Sequence, residues 1–191
     1  NNDIGMPLTL LELRHFHRAA VIEMGMSHPG EIAYLSALAQ PTVAIVTNAQ
    51  RAHLQGMGTL EEVAHEKGSI YAGLGSAGVA VINADDPHAG LWRELNAGRD
   101  IVTFGIDQAA DIAGRCTLRG LGSRVELDTP QGGIEFVLQV PGVHNARNAV
   151  GAAAACLRAG ATLAAVAEGL AGFAGIQGRL QRRRAPSGAL V

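Results

Sequence analysis

Three short apolar runs of one form constrain the fold of this chain more than any other feature. They occupy residues 19–25, 42–48 and 78–86, and a similar fourth run covers residues 100–105. Each run holds several consecutive apolar residues, many of them β-branched, and then stops at a polar residue or a glycine. Runs without polar alternation are typical of strands buried on both faces, which are usually parallel strands covered by helices.

Helix-like stretches separate these runs. They cover residues 30–40, 59–74 and 87–98, and Thr59 followed by Glu62 has the spacing of a capping box at the start of the second stretch. Strands that alternate with helices of this length favour an α/β fold. We therefore predict a doubly wound, mostly parallel sheet with helices on both faces.

The hydrophobic pattern changes between residues 111 and 140. Apolar and polar residues alternate there in three segments separated by turn-forming residues, which predicts a small antiparallel β element. Helical patterns return at 145–160 and 162–173, with Thr162 as a predicted N-cap. A length of 191 residues suits one domain, so residues 1–191 are interpreted as a single unit.

Composition excludes several classes of protein. Hydrophobic residues make up 48% of the chain, which excludes disorder, and the net charge of -2 argues against a general nucleic-acid binder or a binder of anionic membranes. No apolar run reaches the roughly 20 residues that a membrane-spanning helix needs. The two cysteines, Cys116 and Cys156, are too few for a disulfide scaffold. They suit a reducing compartment, so we predict a cytoplasmic location.

Polar residues stand where the predicted strands end. They are Glu23, Asn48 and the group Asn83, Asp85 and Asp86. In open parallel sheets ligands bind beyond the carboxyl ends of the strands, so these side chains indicate a site on one rim. The alternative for each residue is that Asn and Asp simply terminate strands.

Two further residues belong near this rim. His53 follows the second strand, where it is a metal ligand, a base or a solvated loop residue, and Lys67 is the only lysine of the chain. The ordinary alternative for Lys67 is a solvated helix lysine. Glu23 and His53 near phosphates would suit Mg²⁺, which prefers oxygen ligands and few protein contacts. The chain has neither a G-x-x-x-x-G-K-[ST] loop nor a G-x-G-x-x-G turn to cradle phosphates.

Five motifs in order resemble the central domain of the Mur ligases, along nearly the whole chain. They are E-M-G-x-x-x-x-G-E-I (23–32), T-N-x-x-x-x-H-L-x-x-M-G-T-x-E-x-V-A-x-x-K (47–67), N-A-D-D (83–86), P-G-x-H-N-x-x-N-A (141–149) and G-R-L (178–180). The resemblance implies an ATP-dependent ligase that uses Mg²⁺.

The resemblance also implies roles for individual residues. Glu23 would bind Mg²⁺ near the nucleotide phosphates, and His53 would hold a second Mg²⁺ at the γ-phosphate. Lys67 would be carbamylated, and its carbamate oxygens would help to place the second metal ion.

Further residues are implied in substrate binding. Asn145 and Asn148 would contact the adenine side of ATP, and Arg179 would reach its phosphates. Asn83 would lie on the nucleotide rim. The segment that carries Asn2 and Thr9 would approach the muramoyl substrate; both residues belong to the opening N-N-D-I-G-M-P-L-T.

The form of the first motif resembles the family members that join D-Ala-D-Ala to UDP-MurNAc-tripeptide through an acyl phosphate. This is a step of peptidoglycan synthesis, and so of cell-wall biogenesis, cell shape and cell division. The family's phosphate-binding loop and flanking domains are expected outside residues 1–191, and the piece alone is expected to be inactive. The alternatives are another Mur-type ligase, including a folylpolyglutamate synthase-like enzyme, and a non-catalytic α/β binding module.

Overall fold

The computed structural model describes residues 1–50, 58–120 and 122–176. The helices in these ranges are α1 (Gly5–Leu11), α2 (Glu31–Ala39), α3 (Leu60–Gly68), α4 (Ala89–Leu95), α5 (Val143–Arg158) and α6 (Leu163–Ala171), and a 3-10 helix covers Ser69–Gly73. The strands are β1 (Val43–Val46), β2 (Val79–Asn83), β3 (Asp100–Gly105), β4 (Ile112–Arg119), β5 (Gly122–Thr129) and β6 (Gly132–Leu138). None of these helices is both long and apolar enough to cross a membrane.

All six strands form one sheet in the order β1-β2-β3-β4-β5-β6. Strands β1 to β4 are parallel neighbours, and β4, β5 and β6 pair antiparallel. The parallel pairing of β3 with β4 is short: Phe104 faces Ile112 and Gly105 faces Ala113, so β4 begins beside the end of β3 and runs on past it. The predicted change from parallel to antiparallel pairing is confirmed, and both parts share one continuous sheet.

The predicted strand at residues 19–25 is wrong. These residues adopt no regular structure, and Val21 is 95% exposed. β1 is the edge strand of the described sheet, so among the described residues no further strand offers 19–25 a hydrogen-bonding ladder. Side-chain preference for a strand is weak without a neighbouring strand and a face to bury, which is why this apolar run forms no strand.

Both predicted helix caps are confirmed. The Thr59 hydroxyl accepts a hydrogen bond from the backbone N–H of Glu62 at 3.2 Å, and the Glu62 carboxylate accepts one from the N–H of Thr59 at 2.7 Å. The Thr162 hydroxyl accepts from the N–H of Ala165 at 3.2 Å. Each cap satisfies an N–H group that the first turn of a helix otherwise leaves without a partner.

The N-terminus of helix α2 is capped by a side chain that is distant in sequence. The buried carboxylate of Glu66 in α3 accepts hydrogen bonds from the N–H groups of Gly30 and Ile32, each at 2.9 Å. Glu66 thus caps α2 across 34 to 36 residues of chain. A negative group at a helix N-terminus is also favoured by the helix dipole, so this contact fixes α2 against α3.

Helices cover both faces of the sheet, as predicted. On one face Val79 and Val81 belong to a core formed with α5 and α6, and on the other Ala80 and Ile82 belong to a core that includes Trp92. The Trp92 side chain is fully buried, and its Nε1–H donates to the carbonyl of Ala64 in α3 at 3.0 Å. This alternation of faces explains why the strand sequences lack polar residues.

The 3-10 helix packs very closely on α2. The hydroxyl of Ser36 donates to the carbonyl of Ile70, and a Cβ atom at Gly73 would overlap the hydroxyl and carbonyl oxygens of Ser36. Position 73 therefore requires glycine for close approach rather than for a special backbone angle.

Candidate active site

A cleft of about 530 Å³ opens beyond the carboxyl ends of β1 and β2. Its walls come from the segment after β1, the turn after β2 and the first turns of α5. The polar side of this lining includes Thr47, Asn48, Asn83, Asp86, Arg147 and Asn148. The cleft lies on the rim that the strand-end residues predict, where open parallel sheets place their ligands.

Three side chains hold three successive residues of the first wall. The Asn83 amide donates to the carbonyl of Thr47, and Lys67 Nζ donates to the carbonyl of Asn48, each at 2.7 Å. The carboxylate of Asp86 accepts from the N–H of Ala49, also at 2.7 Å. We call these three hydrogen bonds the wall clamp. They satisfy backbone groups that regular secondary structure does not pair, which is necessary where the backbone is partly buried.

The residues after β2 form a tight turn that orients two members of the clamp. Asn83 is 2% exposed, and its side-chain oxygen accepts from the N–H of Asp85 at 3.0 Å, which is an Asx turn. The second carboxylate oxygen of Asp86 accepts from the N–H of His88 at 2.9 Å. Both amide atoms of Asn83 and both oxygens of Asp86 therefore have partners within the protein. The rim role predicted for Asn83 remains a prediction.

Asp85 and Arg147 form a second polar cluster at the cleft. The Asp85 carboxylate accepts from the N–H groups of Ile106, Asp107 and Gln108 at 2.8, 3.0 and 2.8 Å. Arg147 donates to Asp85 at 3.0 Å and to Asp107 at 2.6 Å. Burial acts to raise the pKa of Asp85, but the backbone N–H groups and the guanidinium together outweigh it and hold that pKa below its ordinary value.

Arg147 is a residue of the cleft that the sequence motifs do not predict. It stands at an unspecified position between Asn145 and Asn148 in the fourth motif, so the motif gave it no role. A signal was available in its position: a cation one residue before a predicted adenine contact, on the first turns of a helix that points at the rim. The partners, Asp85 and Asp107, lie 62 and 40 residues away in sequence and follow only from the folded chain.

The environment of Lys67 changes its acid–base behaviour. Partial burial lowers the pKa of the Lys67 amine, and the negative charge of Asp86 opposes this in part, which leaves the pKa below its ordinary value. A lowered pKa raises the fraction of neutral amine. A carbamate forms from neutral amine and CO₂, so this environment suits the predicted modification, which remains a prediction.

A second, apolar cavity of about 370 Å³ adjoins the cleft. It lies between β6, α5 and α6, and its lining includes Val140, Leu170 and Phe173 as well as the amides of Asn145 and Asn148. Asn148 lines both the apolar cavity and the polar cleft. The structure thus brings both predicted adenine-side residues to one cavity, which shares Asn148 with the cleft at the rim.

Among the described residues, the predicted metal ligands do not lie together. The Glu23 side chain is 83% exposed, and no hydrogen bond or ion pair between described residues joins it to Lys67. His53 and Arg179 lie outside the described residues. Within the described ranges, no three His, Cys, Asp or Glu side chains converge as a metal site would require. The metal assignments remain predictions.

Asn2 and Thr9 make local contacts in α1. The Asn2 side-chain oxygen accepts from the N–H groups of Ile4 and Gly5 at 3.2 and 2.9 Å, and the Thr9 hydroxyl donates to the carbonyl of Gly5 at 3.0 Å. These contacts cap and brace the helix, and the predicted approach to a muramoyl substrate stays a prediction.

Comparison with known proteins defines the class. The family described as Mur ligase middle domain matches residues 1–156 of this chain. The match covers most of the 191 residues, so the chain belongs to the Mur ligase family.

Individual members of the family are similar to this chain over almost its whole length. Over 181 residues the chain is 44% identical to the UDP-N-acetylmuramoyl-tripeptide–D-alanyl-D-alanine ligase of Haemophilus influenzae, covering 94% of this chain and 39% of that protein. It is 41% identical over 182 residues to the Escherichia coli protein of the same name, covering 94% of this chain and 40% of that protein. A crystal structure of MurF from Acinetobacter baumannii superimposes with a TM-score of 0.93 at 35% identity, covering 97% of this chain and 41% of that one. The chain thus spans about two-fifths of the length of these relatives.

Proposed function

We propose that this chain is the ATP-binding unit of a ligase that joins D-Ala-D-Ala to UDP-MurNAc-tripeptide. The relatives from Haemophilus influenzae and Escherichia coli carry the name of that activity, which favours it over the other Mur-type ligases. A polar cleft whose wall residue Asn48 is bound by Lys67 favours it over a non-catalytic binding module.

The position of Asn148 carries the proposal. It lies where the apolar cavity meets the polar cleft, which is the arrangement that a purine nucleotide requires. The flat base would enter the apolar cavity, where Asn148 offers a carboxamide beside that of Asn145, whose nitrogen also donates to the carbonyl of Pro141 at 2.7 Å. Such a group can make paired hydrogen bonds with the N6/N7 edge of adenine. The triphosphate would then extend into the cleft.

Cationic and N–H groups of the chain suit the phosphates. Arg147 lines the cleft on the first turns of α5, where a phosphate would share its guanidinium with Asp85 and Asp107. The N-terminus of a long helix also favours anions. Lys67 as carbamate, with Glu23 and His53, would supply the oxygen and imidazole ligands for Mg²⁺, and the lowered pKa of Lys67 fits that donor set. When bound, Mg²⁺ neutralises negative charge on the phosphates.

The proposed reaction proceeds by acyl activation. A carboxylate oxygen of the UDP-MurNAc-tripeptide attacks the γ-phosphorus of ATP, and ADP leaves with the electrons of the broken P–O bond. The amine of D-Ala-D-Ala then attacks the acyl carbon, inorganic phosphate departs, and the amine loses a proton. The chain's part is to bind and orient ATP so that attacking and leaving oxygens lie in line. We place this reaction in the cytoplasm, which the two free cysteines suit.

The test uses the full ligase that contains this chain. Phosphate release should require ATP, UDP-MurNAc-tripeptide and D-Ala-D-Ala together. Asn148→Ala should raise KM for ATP about tenfold, because a lost hydrogen bond to the base costs that much in affinity. Gln131→Ala, an amide in the β5–β6 turn, is the matched control and should leave KM unchanged. Phosphate release with another amino acid in place of D-Ala-D-Ala would favour the other Mur-type ligases.

A binding measurement on residues 1–191 alone complements this test. The chain contains no phosphate-binding loop motif, so we expect Mg-ATP to bind weakly or undetectably in calorimetry. Micromolar affinity would mean that the cleft described here holds the triphosphate without such a loop.

A further inference from the structure

The cleft wall after β1 lacks the support that a sheet usually gives. β1 is only four residues long and is the edge strand of the described sheet. Residues 47–50, which follow it, have no regular secondary structure, yet all four line the cleft. Ladder hydrogen bonds therefore cannot fix this wall, and its geometry depends on side-chain contacts.

The wall clamp supplies those contacts from three different places. Asn83 ends β2, Lys67 lies in α3, and Asp86 lies in the turn between β2 and α4. Three successive backbone groups are held at 2.7 Å by side chains that stand 36, 19 and 37 residues away. Such agreement over three consecutive residues indicates a segment held in one conformation.

Asp86 differs from the other two members because it holds an N–H group. Asn83 and Lys67 donate to carbonyl oxygens, which can also accept from water, whereas the buried N–H of Ala49 has one proton and needs one acceptor. Ala49 is 5% exposed, so water would replace the carboxylate poorly. Asp86 is itself fixed, because its other oxygen accepts from the N–H of His88 and its carbonyl accepts from the N–H of Ala89.

We propose that Asp86 is a positioning residue for the nucleotide: it holds Ala49 and thereby keeps the 47–50 wall in the shape that accepts ATP. This inference rests on the proposed function. Asp86 lines the cleft, but each of its carboxylate oxygens already accepts from a backbone N–H group, so we assign its effect to the wall that it holds. Its removal should weaken ATP binding while leaving the binding of D-Ala-D-Ala unchanged.

The test compares two substitutions with a matched control in the full ligase. Asp86→Ala removes both acceptors, whereas Asp86→Asn keeps one oxygen that can still accept from Ala49. The control is Asp111→Asn, because the Asp111 carboxylate also accepts from a backbone N–H, that of Thr103 at 2.8 Å, but does not line the cleft. Steady-state kinetics give KM for ATP and for D-Ala-D-Ala separately. Amide hydrogen exchange, measured on the same full ligase variants, reports the N–H of Ala49.

We expect Asp86→Ala to raise KM for ATP about tenfold and to speed exchange at Ala49 by at least that factor, since a buried N–H loses its acceptor. Asp86→Asn should change both by about threefold or less, and Asp111→Asn neither. KM for D-Ala-D-Ala should stay within about twofold in all three variants. If Asp86→Ala does not fold, the graded effect of Asp86→Asn on KM for ATP and on Ala49 exchange decides the question.

Two outcomes would overturn the inference. Fast exchange at Ala49 with an unchanged KM for ATP would show that Asp86 stabilises the wall without positioning the nucleotide. Unchanged exchange in Asp86→Ala would show that the wall does not depend on this carboxylate. Failure of the proposed function is distinguishable, because the parent ligase would then release no phosphate while Ala49 exchange still responds to Asp86.

Discussion

The parallel and antiparallel parts of the sheet use polar side chains in opposite ways. At the rim of β1 and β2, buried Asn83, Asp85 and Asp86 hold backbone groups of distant segments. On the meander β4–β6, exposed charges pair with their neighbours across adjacent strands, as Arg124 does with Glu135 at 2.5 Å. The rim side chains hold irregular loops in place around the cleft. The charged side chains of the meander lie on a surface whose backbone is already held by the strand ladder.

The two regions therefore depend on their polar side chains to different degrees. Register in the meander follows from the alternation of buried and exposed side chains and from the turns, and the backbone ladder of β4, β5 and β6 then holds it. Single charges on its exposed face are therefore not decisive. The rim has no such ladder, and each of its buried polar groups would be left unsatisfied if its partner were removed. We therefore expect substitutions at the rim to matter more than chemically similar ones on the meander.

The largest effect is expected at Lys67. In the full ligase, Lys67→Ala should lower turnover about a hundredfold or more if Lys67 carries the proposed carbamate, because an anionic oxygen ligand near the transferred phosphoryl group is then lost. An added short-chain carboxylic acid should restore part of the rate if the lost group was a carbamate. His65→Ala, at an exposed position on the same helix, is the control. Near-normal turnover of Lys67→Ala would contradict the carbamate assignment.

The next effect concerns the packing of the 3-10 helix on α2. Gly73→Ala should lower the free energy of unfolding by about 2–3 kcal/mol, because the added Cβ overlaps Ser36. Gly133→Ala in β6 is the meander counterpart: its Cβ would lie 3.6 Å from the carbonyl of Leu127, an ordinary contact. Denaturant unfolding of both variants measures the contrast. Equal losses of unfolding free energy in the two variants would contradict the inference that position 73 is packed more tightly than position 133.

A smaller, pH-dependent effect is expected at Asp85. Asp85→Asn should cost about 1–2 kcal/mol at neutral pH, where the wild-type carboxylate binds three N–H groups and Arg147. The folded-state pKa of Asp85 is lowered, so its contribution is complete above the unfolded-state value of about 3.9 and is lost as pH falls through the folded pKa.

Unfolding measurements at neutral and acidic pH test this prediction. The stability difference between wild type and Asp85→Asn should shrink on acidification. Asp107→Asn, which alters a more exposed partner of the same arginine, should show a smaller difference. A difference that does not vary with pH would mean that the Asp85 carboxylate is not stabilised in its charged form.

The smallest effect belongs to the meander. Glu126 pairs with Arg115 and with Arg124 at 3.4 Å on a solvent-facing surface. Glu126→Gln should change the free energy of unfolding by less than about 0.5 kcal/mol, and added salt should reduce even that. A loss comparable with that of Asp85→Asn in the same denaturant assay would show that surface pairs hold this sheet more strongly than we infer.

Local pattern predicted most of the fold. The unbroken apolar runs gave β1, β2 and β3, the alternation gave β4 to β6, and Thr59 and Thr162 marked helix starts. These features depend on neighbours within a few residues. The run at 19–25 failed because a strand also needs a partner strand, and a single apolar run does not show whether one is present.

The candidate site was predictable in place but not in detail. Parallel topology alone put Asn83 and Asp86 on the rim. It could not show that Asp86 reaches Ala49 or that Arg147 reaches Asp85, because these contacts join residues 37 and 62 apart and depend on how helices pack. Glu66 follows the exposed His65 in sequence, yet it is buried and caps α2 across 34 to 36 residues, which no local pattern shows.

The hydrogen bond between Trp92 and Ala64 makes tryptophan fluorescence a probe of helix α3. Trp92 is the only tryptophan, it is fully buried, and its indole N–H is bonded to α3 three residues before Lys67. A displacement of α3 would change the polarity around the indole and hence its emission wavelength. The intrinsic fluorescence of this chain therefore monitors the helix that carries Lys67, without any added label.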